Sequence, residues 1–288
     1  MKIVRELGLA GAVGIAVVSA GAAVAADLPA AYRPPVKAVA VAPLPTWTGF
    51  YIGGNLGGGW DKSSSALSAT STDPTLAPAL AAILAAGSYP ASLSPQGKGV
   101  IGGGQIGYNW QLASQAVIGL EADLQGSGLK GSDDQVFSPA TFSTTGTDLT
   151  KSIEWFGTVR GRVGYLVAPQ WLLYATGGFA YGQTKTSFTT TDLTLGCVPP
   201  GISLCAAGSS SSTRTGWTAG AGVEAQFAPN WSIKAEYLYV DLGTLAMNIP
   251  TFTIPAIAFN TSVSFREQIA RVGLNYRFDW GGPVTATY

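Results

Sequence analysis

The sequence predicts an all-β protein, an eight-stranded antiparallel transmembrane β-barrel of the up-and-down type with long extracellular loops and short periplasmic turns. Alternation is the first reason: in Ser264–Phe278, apolar Ala270, Val272 and Leu274 alternate with residues such as Arg271, and about eight segments share this strand period. Composition is the second, because only 11% of the residues are charged, yet no run after the first 26 residues approaches the roughly 20 apolar residues of a membrane helix. The third is that tryptophans fall near the predicted strand ends.

The chain begins with a predicted signal peptide, residues 1–25. Lys2 and Arg5 precede an apolar run that ends at Val18, and Ala23–Ala25 matches an A-x-A cleavage site. An anchoring helix is the alternative, but the apolar run is short and rich in glycine. Residues 26–45 contain five prolines and predict an extended periplasmic linker, with a segment that contacts a periplasmic component as the alternative.

The predicted barrel domain covers residues 46–280 and is followed by a short tail, residues 281–288. Its strands are Thr46–Trp60, Lys98–Gln111, Gln115–Gln125, Lys151–Val167, Gln170–Thr184, Thr213–Phe227, Asn230–Leu242 and Ser264–Phe278. Short connections alternate with the long loops Asp61–Gly97, Gly126–Thr150, Lys185–Ser212 and Gly243–Val263, which is typical of outer-membrane barrels with both termini in the periplasm. A soluble lipocalin-type barrel is the alternative, but it would turn its apolar face inwards.

The tryptophans predict two aromatic girdles. Tryptophan favours the membrane–water interface because its ring is apolar and its N–H seeks a polar partner. The periplasmic girdle would contain Trp47, Trp110, Trp171, Trp231 and Trp280, and the extracellular girdle would contain Trp60, Trp155 and Trp217. A soluble core would bury its tryptophans in the middle of strands.

Nine charged residues lie on the strand faces opposite the apolar ones. A charge that faces lipid costs about 2–4 kcal/mol at the bilayer midplane, so these side chains should point into the lumen and pair. An eight-stranded barrel is just wide enough for side chains to fill it, which favours a closed ionic network. A gated ion path through the network is the alternative, and the many interior glycines favour it. The nine are Glu121, Asp123, Arg160, Arg162, Glu224, Lys234, Glu236, Arg271 and Arg277.

The sequence offers little for catalysis or for cofactor binding. Cys197 and Cys205 are the only cysteines, and in an oxidising compartment we expect them to form a disulfide rather than a reactive thiol pair, which would favour C-x-x-C spacing. Histidine is absent, so the common catalytic base and the usual ligand of zinc and haem are missing. Gly102–Gly107 matches G-x-G-x-x-G but lacks the helix of a dinucleotide site. We therefore expect no enzyme, no cofactor and no metal, and the zero net charge indicates no nucleic-acid partner.

Two of the predicted loops are unusually apolar. Leu76–Ala86 predicts a short helix that ends at Gly87, and Ile249–Asn260 is the second apolar segment. These segments either fold over the mouth of the barrel or form a surface patch that binds a partner, and the sequence leaves both interpretations open.

The motif TWTGFYIGGNLGGGW at Thr46–Trp60, the ADLP sequence at residues 26–29 and the closing VGLNYRF resemble the small outer-membrane immunogenic proteins of alphaproteobacteria, which share an OmpA-like eight-stranded barrel. The resemblance implies a non-catalytic surface protein that supports envelope integrity, although porin-like conduction and haem binding are also discussed for the family. A narrow channel and a surface protein that binds partners through its loops are therefore the alternatives. Expected partners are outer-membrane lipid and lipopolysaccharide, the barrel-assembly machinery and a partner outside the cell.

The same resemblance implies an assembly signal in the last strand, formed by Gly273, Tyr276 and Phe278. Barrels of this kind often end at the final aromatic residue, whereas here ten residues follow Phe278. Either the machinery reads the signal internally, or Tyr288 substitutes for Phe278.

Overall fold

A computed structural model shows a ring of long antiparallel strands. It describes residues 46–278 except 62, 113–114 and 199–202. The fold described here belongs to the compact unit Leu44–Tyr288. The predicted signal peptide and linker, Trp280 and the C-terminal tail lie outside the described residues.

Eight strands form the ring, and their order follows the chain. The ring runs β1, β4, β5, β6, β7, β8, β9, β10, and it closes because β1 pairs antiparallel with both β4 and β10. The prediction of a closed, up-and-down, eight-stranded barrel is confirmed. The elements are β1 Gly49–Trp60, β2 Ser65–Ser71, α1 Ala77–Ala85, β3 Ser92–Leu93, β4 Lys98–Gln111, β5 Ala116–Phe137, β6 Thr145–Ala168, β7 Trp171–Asp192, β8 Ala206–Ala228, β9 Trp231–Pro250 and β10 Ile257–Arg277. Within the described part of the chain, α1 is too short to cross a membrane as a helix.

Around its middle and towards the short turns, the barrel is mainly polar inside and apolar outside. Along β10, Arg271 and Asn275 are buried, whereas Val272 and Leu274 are exposed. Other strands of the ring likewise direct apolar side chains outwards, since Ile106, Leu120, Val159, Val163 and Ile233 are exposed. This arrangement is the reverse of a lipocalin-type barrel and agrees with the predicted alternation.

Three of the four predicted long loops are largely strand, which corrects the sequence-based boundaries. Strands β5 to β10 contain 20 to 24 residues each, about twice the 9–11 residues that cross a membrane. The extensions carry serine and threonine outside, as in Thr184–Asp192, so they lack the apolar outer face by which the strands were predicted. Their β-branched threonines nevertheless fit a pleated sheet.

The strand extensions and residues 63–96 form a cap, and the apolar core of the cap continues into the adjacent part of the barrel. The cap comprises the described residues 63–96, 131–150, 186–198, 203–212 and 243–265. Strand β2 pairs with β10 beyond the point where β1 ends, and β3 pairs with β2. Helix α1 is followed by Gly87 with a positive φ of 74°, as the sequence predicts. The largest buried apolar side chains of the cap core include Leu93, Leu149, Phe188, Phe259 and Phe265.

Both apolar segments identified in the sequence contribute to this core. Leu80 of α1 is buried there, and so are Ile249, Ile257 and Phe259. Their burial favours the interpretation in which these segments fold over the mouth of the barrel rather than forming an exposed patch.

Candidate functional site: the ion-pair layer of the lumen

Eight of the nine predicted interior charges meet in one layer across the lumen. The strand period directs each of them inwards, and the register aligns them between neighbouring strands: Glu121 lies opposite Arg160, and Glu236 lies opposite Arg271. The layer contains four acidic and four basic side chains, so its formal charge is zero. Its members are Glu121 and Asp123 of β5, Arg160 and Arg162 of β6, Glu224 of β8, Lys234 and Glu236 of β9, and Arg271 of β10.

Arg160 is at the centre of this layer. Its Nη1 donates to Oε1 of Glu236 at 2.9 Å, its Nη2 donates to Oδ2 of Asp123 at 2.9 Å, and it also pairs with Glu121. Arg271 bridges two of the same acids, because its Nε donates to Oε2 of Glu236 and its Nη2 to Oδ2 of Asp123, both at 2.8 Å. Asp123 and Glu236 therefore each pair with both arginines.

The side of the layer nearer the short turns is completed by Arg162 and Lys234. The Nη2 of Arg162 donates to Oε2 of Glu224 at 2.7 Å, and the Nζ of Lys234 donates to Oε2 of Glu121 at 2.8 Å. The guanidinium carbon of Arg162 lies 4.2 Å from the ring centroid of Tyr174, within the range of a cation–π interaction.

Two tyrosines connect the layer to glycines in the barrel wall. The hydroxyl of Tyr51 donates to Oε2 of Glu121 at 2.7 Å. Its ring covers Gly107 on the neighbouring strand, where an added Cβ would lie 2.4 Å from the ring. Tyr174 has the same relationship to Gly222, and its hydroxyl donates to Oε1 of Glu236 at 3.1 Å. These interior glycines thus provide space for aromatic rings, and the rings position hydroxyls against the acids.

The layer leaves no solvent-accessible surface on its central side chains. The side chains of Asp123, Arg160, Lys234 and Arg271 are all 0% exposed. A buried charge network of this kind is stable only as a complete set, because removal of one partner leaves an uncompensated charge in a low-dielectric environment.

A chain of amides lies beside this layer, and the sequence analysis did not nominate it. Asn55 donates to Gln105 at 2.9 Å, Gln105 donates to Asn275 at 2.5 Å, and Asn275 donates to Oε1 of Glu224 at 2.8 Å. The strand alternation could have identified these residues, since all three amides occupy inner-face positions of their strands. Charge alone was used to select the interior residues, so these neutral ones were missed.

The ninth predicted charge lies at a different level. Arg277 is six residues beyond Arg271 along β10, or roughly 20 Å at the rise of a strand. There its Nη2 donates to the carbonyl of Pro229 at 2.8 Å, at the short-turn rim of the barrel.

One of the predicted girdle tryptophans is inside the barrel. Trp47 is only 2% exposed, and its Nε1 donates to the carbonyl of Pro169 at 3.1 Å. It packs with Val117, Leu166 and Leu172 in a small apolar cluster, so its assignment to a lipid-facing girdle is wrong. The residue precedes β1, which begins at Gly49, and it therefore does not follow the strand alternation.

The other described tryptophans do not share this internal position. Trp60, Trp110, Trp171, Trp217 and Trp231 are exposed. Trp155 is half-buried and packs edge-on against Tyr181, with ring centroids 6.1 Å apart.

At the opposite end of the barrel, the cap contains a disulfide between Cys197 and Cys205. Cys205 is fully buried, and its carbonyl accepts a hydrogen bond from the amide of Phe252 at 3.0 Å. Its own amide donates to Oγ1 of Thr253 at 3.2 Å. The backbone of Cys205 therefore joins the connection between β7 and β8 to the one between β9 and β10, and the disulfide links Cys197 to the same point.

The sequence matches a known family over most of its length. The profile of the outer membrane protein beta-barrel domain matches residues 12–278. The 31 kDa outer-membrane immunogenic protein of Brucella melitensis is 35% identical over 264 residues, which cover 92% of this chain and 97% of that protein. This chain belongs to the outer membrane protein β-barrel family.

The family assignment confirms the predicted resemblance and places the protein in the outer membrane. The 25 kDa outer-membrane immunogenic protein of Brucella abortus is a second relative, 30% identical over 85% of this chain and 86% of its own length. Among solved structures, the outer membrane protein OprG of Pseudomonas aeruginosa is similar with a TM-score of 0.40 and 12% identity, over 80% of this chain and 96% of that chain.

Proposed function

We propose that this outer-membrane barrel protein spans the membrane with the eight strands of its ring and acts as a closed, non-catalytic structural component of the cell surface. The short turns face the periplasm and the cap faces the exterior. The apolar outer wall and the exposed tryptophans at both of its ends support the spanning arrangement. The orientation is supported by the short turns at one end and the long strand extensions at the other.

Closure of the lumen at three levels is the observation that carries the proposal. Trp47 fills the short-turn mouth, the ion-pair layer crosses the middle, and the apolar core of the cap lies above it. A water-filled path would need accessible polar surface through all three, whereas the central charges have none. Such a barrel contributes a rigid wall and an exposed cap to the envelope.

The test is single-channel conductance of the refolded protein in a planar bilayer. We expect a silent bilayer, with the heat-modifiable gel shift of a folded barrel as the control for insertion. Discrete current steps that change in Arg160→Ala or Glu121→Ala would instead assign the narrow-channel alternative. Recovery of the protein in the soluble periplasmic fraction of cells would contradict the spanning arrangement itself.

A second candidate function, partner binding at the cell surface, is favoured by apolar residues at the tip of the cap. Val136 lies opposite Gly146, and the side chain of Leu193 approaches the same glycine, so two exposed apolar side chains are adjacent. Leu195 and Val198 are exposed on the connection that follows β7. Cells that carry Val136→Ser with Leu193→Ser should then lose adhesion or phage sensitivity while retaining the folded barrel, and unchanged behaviour would exclude this role for the patch.

A further inference from the structure

Exposed basic residues outside the lumen are confined to one level of the barrel. The cap contains five acidic residues and no lysine or arginine: Asp73, Asp133, Asp134, Asp148 and Asp192. The exposed basic residues of the described chain all lie where the cap meets the lower barrel, which is the part of the ring between the cap and the short turns. They are Lys98, Lys130, Lys185 and Arg266. The basic residues therefore form a belt next to the level of Trp60.

Strand register places part of this belt in one continuous row. Trp60 lies opposite Lys98, Lys98 opposite Lys130, Lys130 opposite Ser152, and Ser152 opposite Lys185. Directly opposed residues share a face of the sheet and have Cβ atoms about 4.5–5.5 Å apart. Because Trp60 is exposed on the outer wall, the lysines face outwards beside it.

Only two members of the belt lack an acidic partner. Lys185 pairs with Glu154 at 2.6 Å, and Arg266 pairs with Asp241 at 3.2 Å. Among the described residues, no carboxylate forms a salt bridge with Lys98 or Lys130. Two like charges directly opposed on adjacent strands destabilise a sheet, and an anion between them would remove that cost.

The wall below these lysines, towards the short turns, is unusually shallow. Gly102 of β4 lies opposite Gly126 of β5, and Gly104 is the next outward position on β4. An added Cβ at Gly104 or Gly126 would approach nothing closer than 3.7 Å, so both positions open onto the outside. Val100 is the outward residue between Lys98 and these glycines on β4, so an acyl chain can approach the backbone just beyond Val100.

We propose that Lys98 and Lys130, with Trp60 beside them, bind a phosphate group on an outer-leaflet glycolipid of the lipopolysaccharide type. Lysine binds phosphate as a point charge, and its long stem lets the ammonium reach the headgroup level while the methylenes lie along the wall. Trp60 belongs at the same interface, and the glycine trough accommodates the lipid tail. This inference rests on the membrane-spanning orientation proposed above.

The experiment uses the mature protein, refolded into phosphatidylcholine nanodiscs that contain either bisphosphorylated or dephosphorylated lipid A. Native mass spectrometry counts the lipid A molecules that remain on the released protein. The wild type should retain the bisphosphorylated lipid preferentially. Lys98→Gln with Lys130→Gln should lower that preference by roughly thirtyfold, since each lysine near an anionic surface is worth about a fivefold effect.

Two matched variants separate a site from general charge attraction. Lys185→Gln with Arg266→Gln removes the same charge at the same level but affects residues that already have partners, so it should retain the lipid. Lys98→Arg with Lys130→Arg preserves both cations and should also retain it. Equal losses in the two glutamine double variants, or equal retention of dephosphorylated lipid A, would overturn the proposal.

Two further controls identify the source of the anion and the integrity of the barrel. Full competition by inorganic phosphate would indicate a free-anion site and would contradict the lipid assignment. A missing heat-modifiable shift in the wild type would mean that the spanning barrel itself is wrong, whereas a shifted band without lipid preference would refute only the lipid site.

Discussion

Arg160 donates to Glu236 across the lumen, with its Nη1 2.9 Å from Oε1. Strands β7 and β8 separate β6 from β9 in the ring, so this bond joins opposite parts of the wall rather than neighbours. This side-chain interaction therefore connects two strands that share no backbone hydrogen bonds.

Loss of Arg160 should therefore destabilise the barrel strongly. Arg160→Met leaves the carboxylates of Glu121, Asp123 and Glu236 short of a cation, and breaking such a buried set costs about 3–5 kcal/mol. Urea unfolding in lipid vesicles, followed by tryptophan fluorescence, measures the loss.

Lys185→Met is the control for that measurement. Lys185 also pairs with a glutamate, Glu154, but both side chains are about half exposed, and such surface pairs contribute less than about 1 kcal/mol. Equal effects of the two substitutions would contradict a structural role for the lumen network.

Gly107 should tolerate no side chain, whereas Gly104 on the same strand should. An added Cβ at Gly107 would lie 2.4 Å from the ring of Tyr51, so Gly107→Ala must displace the ring and its hydrogen bond to Glu121. We expect a loss of about 1–3 kcal/mol in the free energy of unfolding. Gly104→Ala faces outwards, with the nearest atom at 3.8 Å, and should be neutral within about 0.5 kcal/mol in the same urea assay.

Reduction of the disulfide should loosen the cap and leave the lower barrel intact. Cys197 and Cys205 close a short loop, for which the entropic contribution is about 2–3 kcal/mol. Cys197→Ser with Cys205→Ser should increase cleavage of the cap by added protease on intact cells, while the heat-modifiable shift persists. Loss of that shift would mean that the disulfide is needed for the whole barrel.

Asp148 should make the stability of the cap depend on pH. Burial, followed by the facing Asp134, raises the pKa of Asp148 from 3.8 to about 6. As the pH rises from 4 to 6, the Asp148 carboxyl therefore loses its proton in the unfolded state before it does so in the folded state. The free energy of unfolding falls through this pH range and remains lower above it.

Removal of that charge tests the direction of the effect. Asp148→Asn should stabilise the protein at pH 7.5, by up to about 1 kcal/mol for an opposed like-charge pair, and should have no effect at pH 3. Asp134→Asn should give a similar gain, and the double variant should gain less than the sum. Urea unfolding at pH 7.5 and pH 3 measures the free energy of unfolding of each variant. Stabilisation that persists at pH 3 would exclude this charge effect.

We propose that the barrel-assembly machinery reads Gly273, Tyr276 and Phe278 despite the ten residues that follow. The rings of Tyr276 and Phe278 pack edge to face at 5.2 Å, and the amide of Phe278 bonds the carbonyl of Phe50. Phe278→Ala should lower the amount of assembled barrel several-fold in membrane fractions, whereas Phe227→Ala, also exposed at the short-turn end, should not. Deletion of residues 279–288 should leave assembly intact, and failure of that deletion variant would assign the signal to the tail.

Local patterns were sufficient to predict the wall of the barrel. The period of two requires no knowledge of distant residues, since a strand directs alternate side chains to opposite faces, and it therefore predicts the inward position of Arg160 or Arg271. The order of the ring also followed, because the alternation of short turns with long loops is typical of an up-and-down barrel, in which consecutive strands are neighbours. The helix at Ala77–Ala85 and its termination at Gly87 were predictable for the same reason, since both depend on neighbouring residues alone.

The tertiary structure decided everything that depends on contacts between distant strands. The partner of Arg160 on β9 depends on the diameter of the closed ring and its register, and neither is encoded in any one strand. Trp47 enters the lumen because Pro169, which is 122 residues away, offers a carbonyl there. The strands continue into the cap because Phe188 and Phe259, far apart in sequence, share one apolar core. Apart from Trp47, the sequence by itself thus determined which face the charged and apolar residues of the predicted strands occupy. Ring closure determined which residues meet, because only closure brings non-adjacent strands within bonding distance.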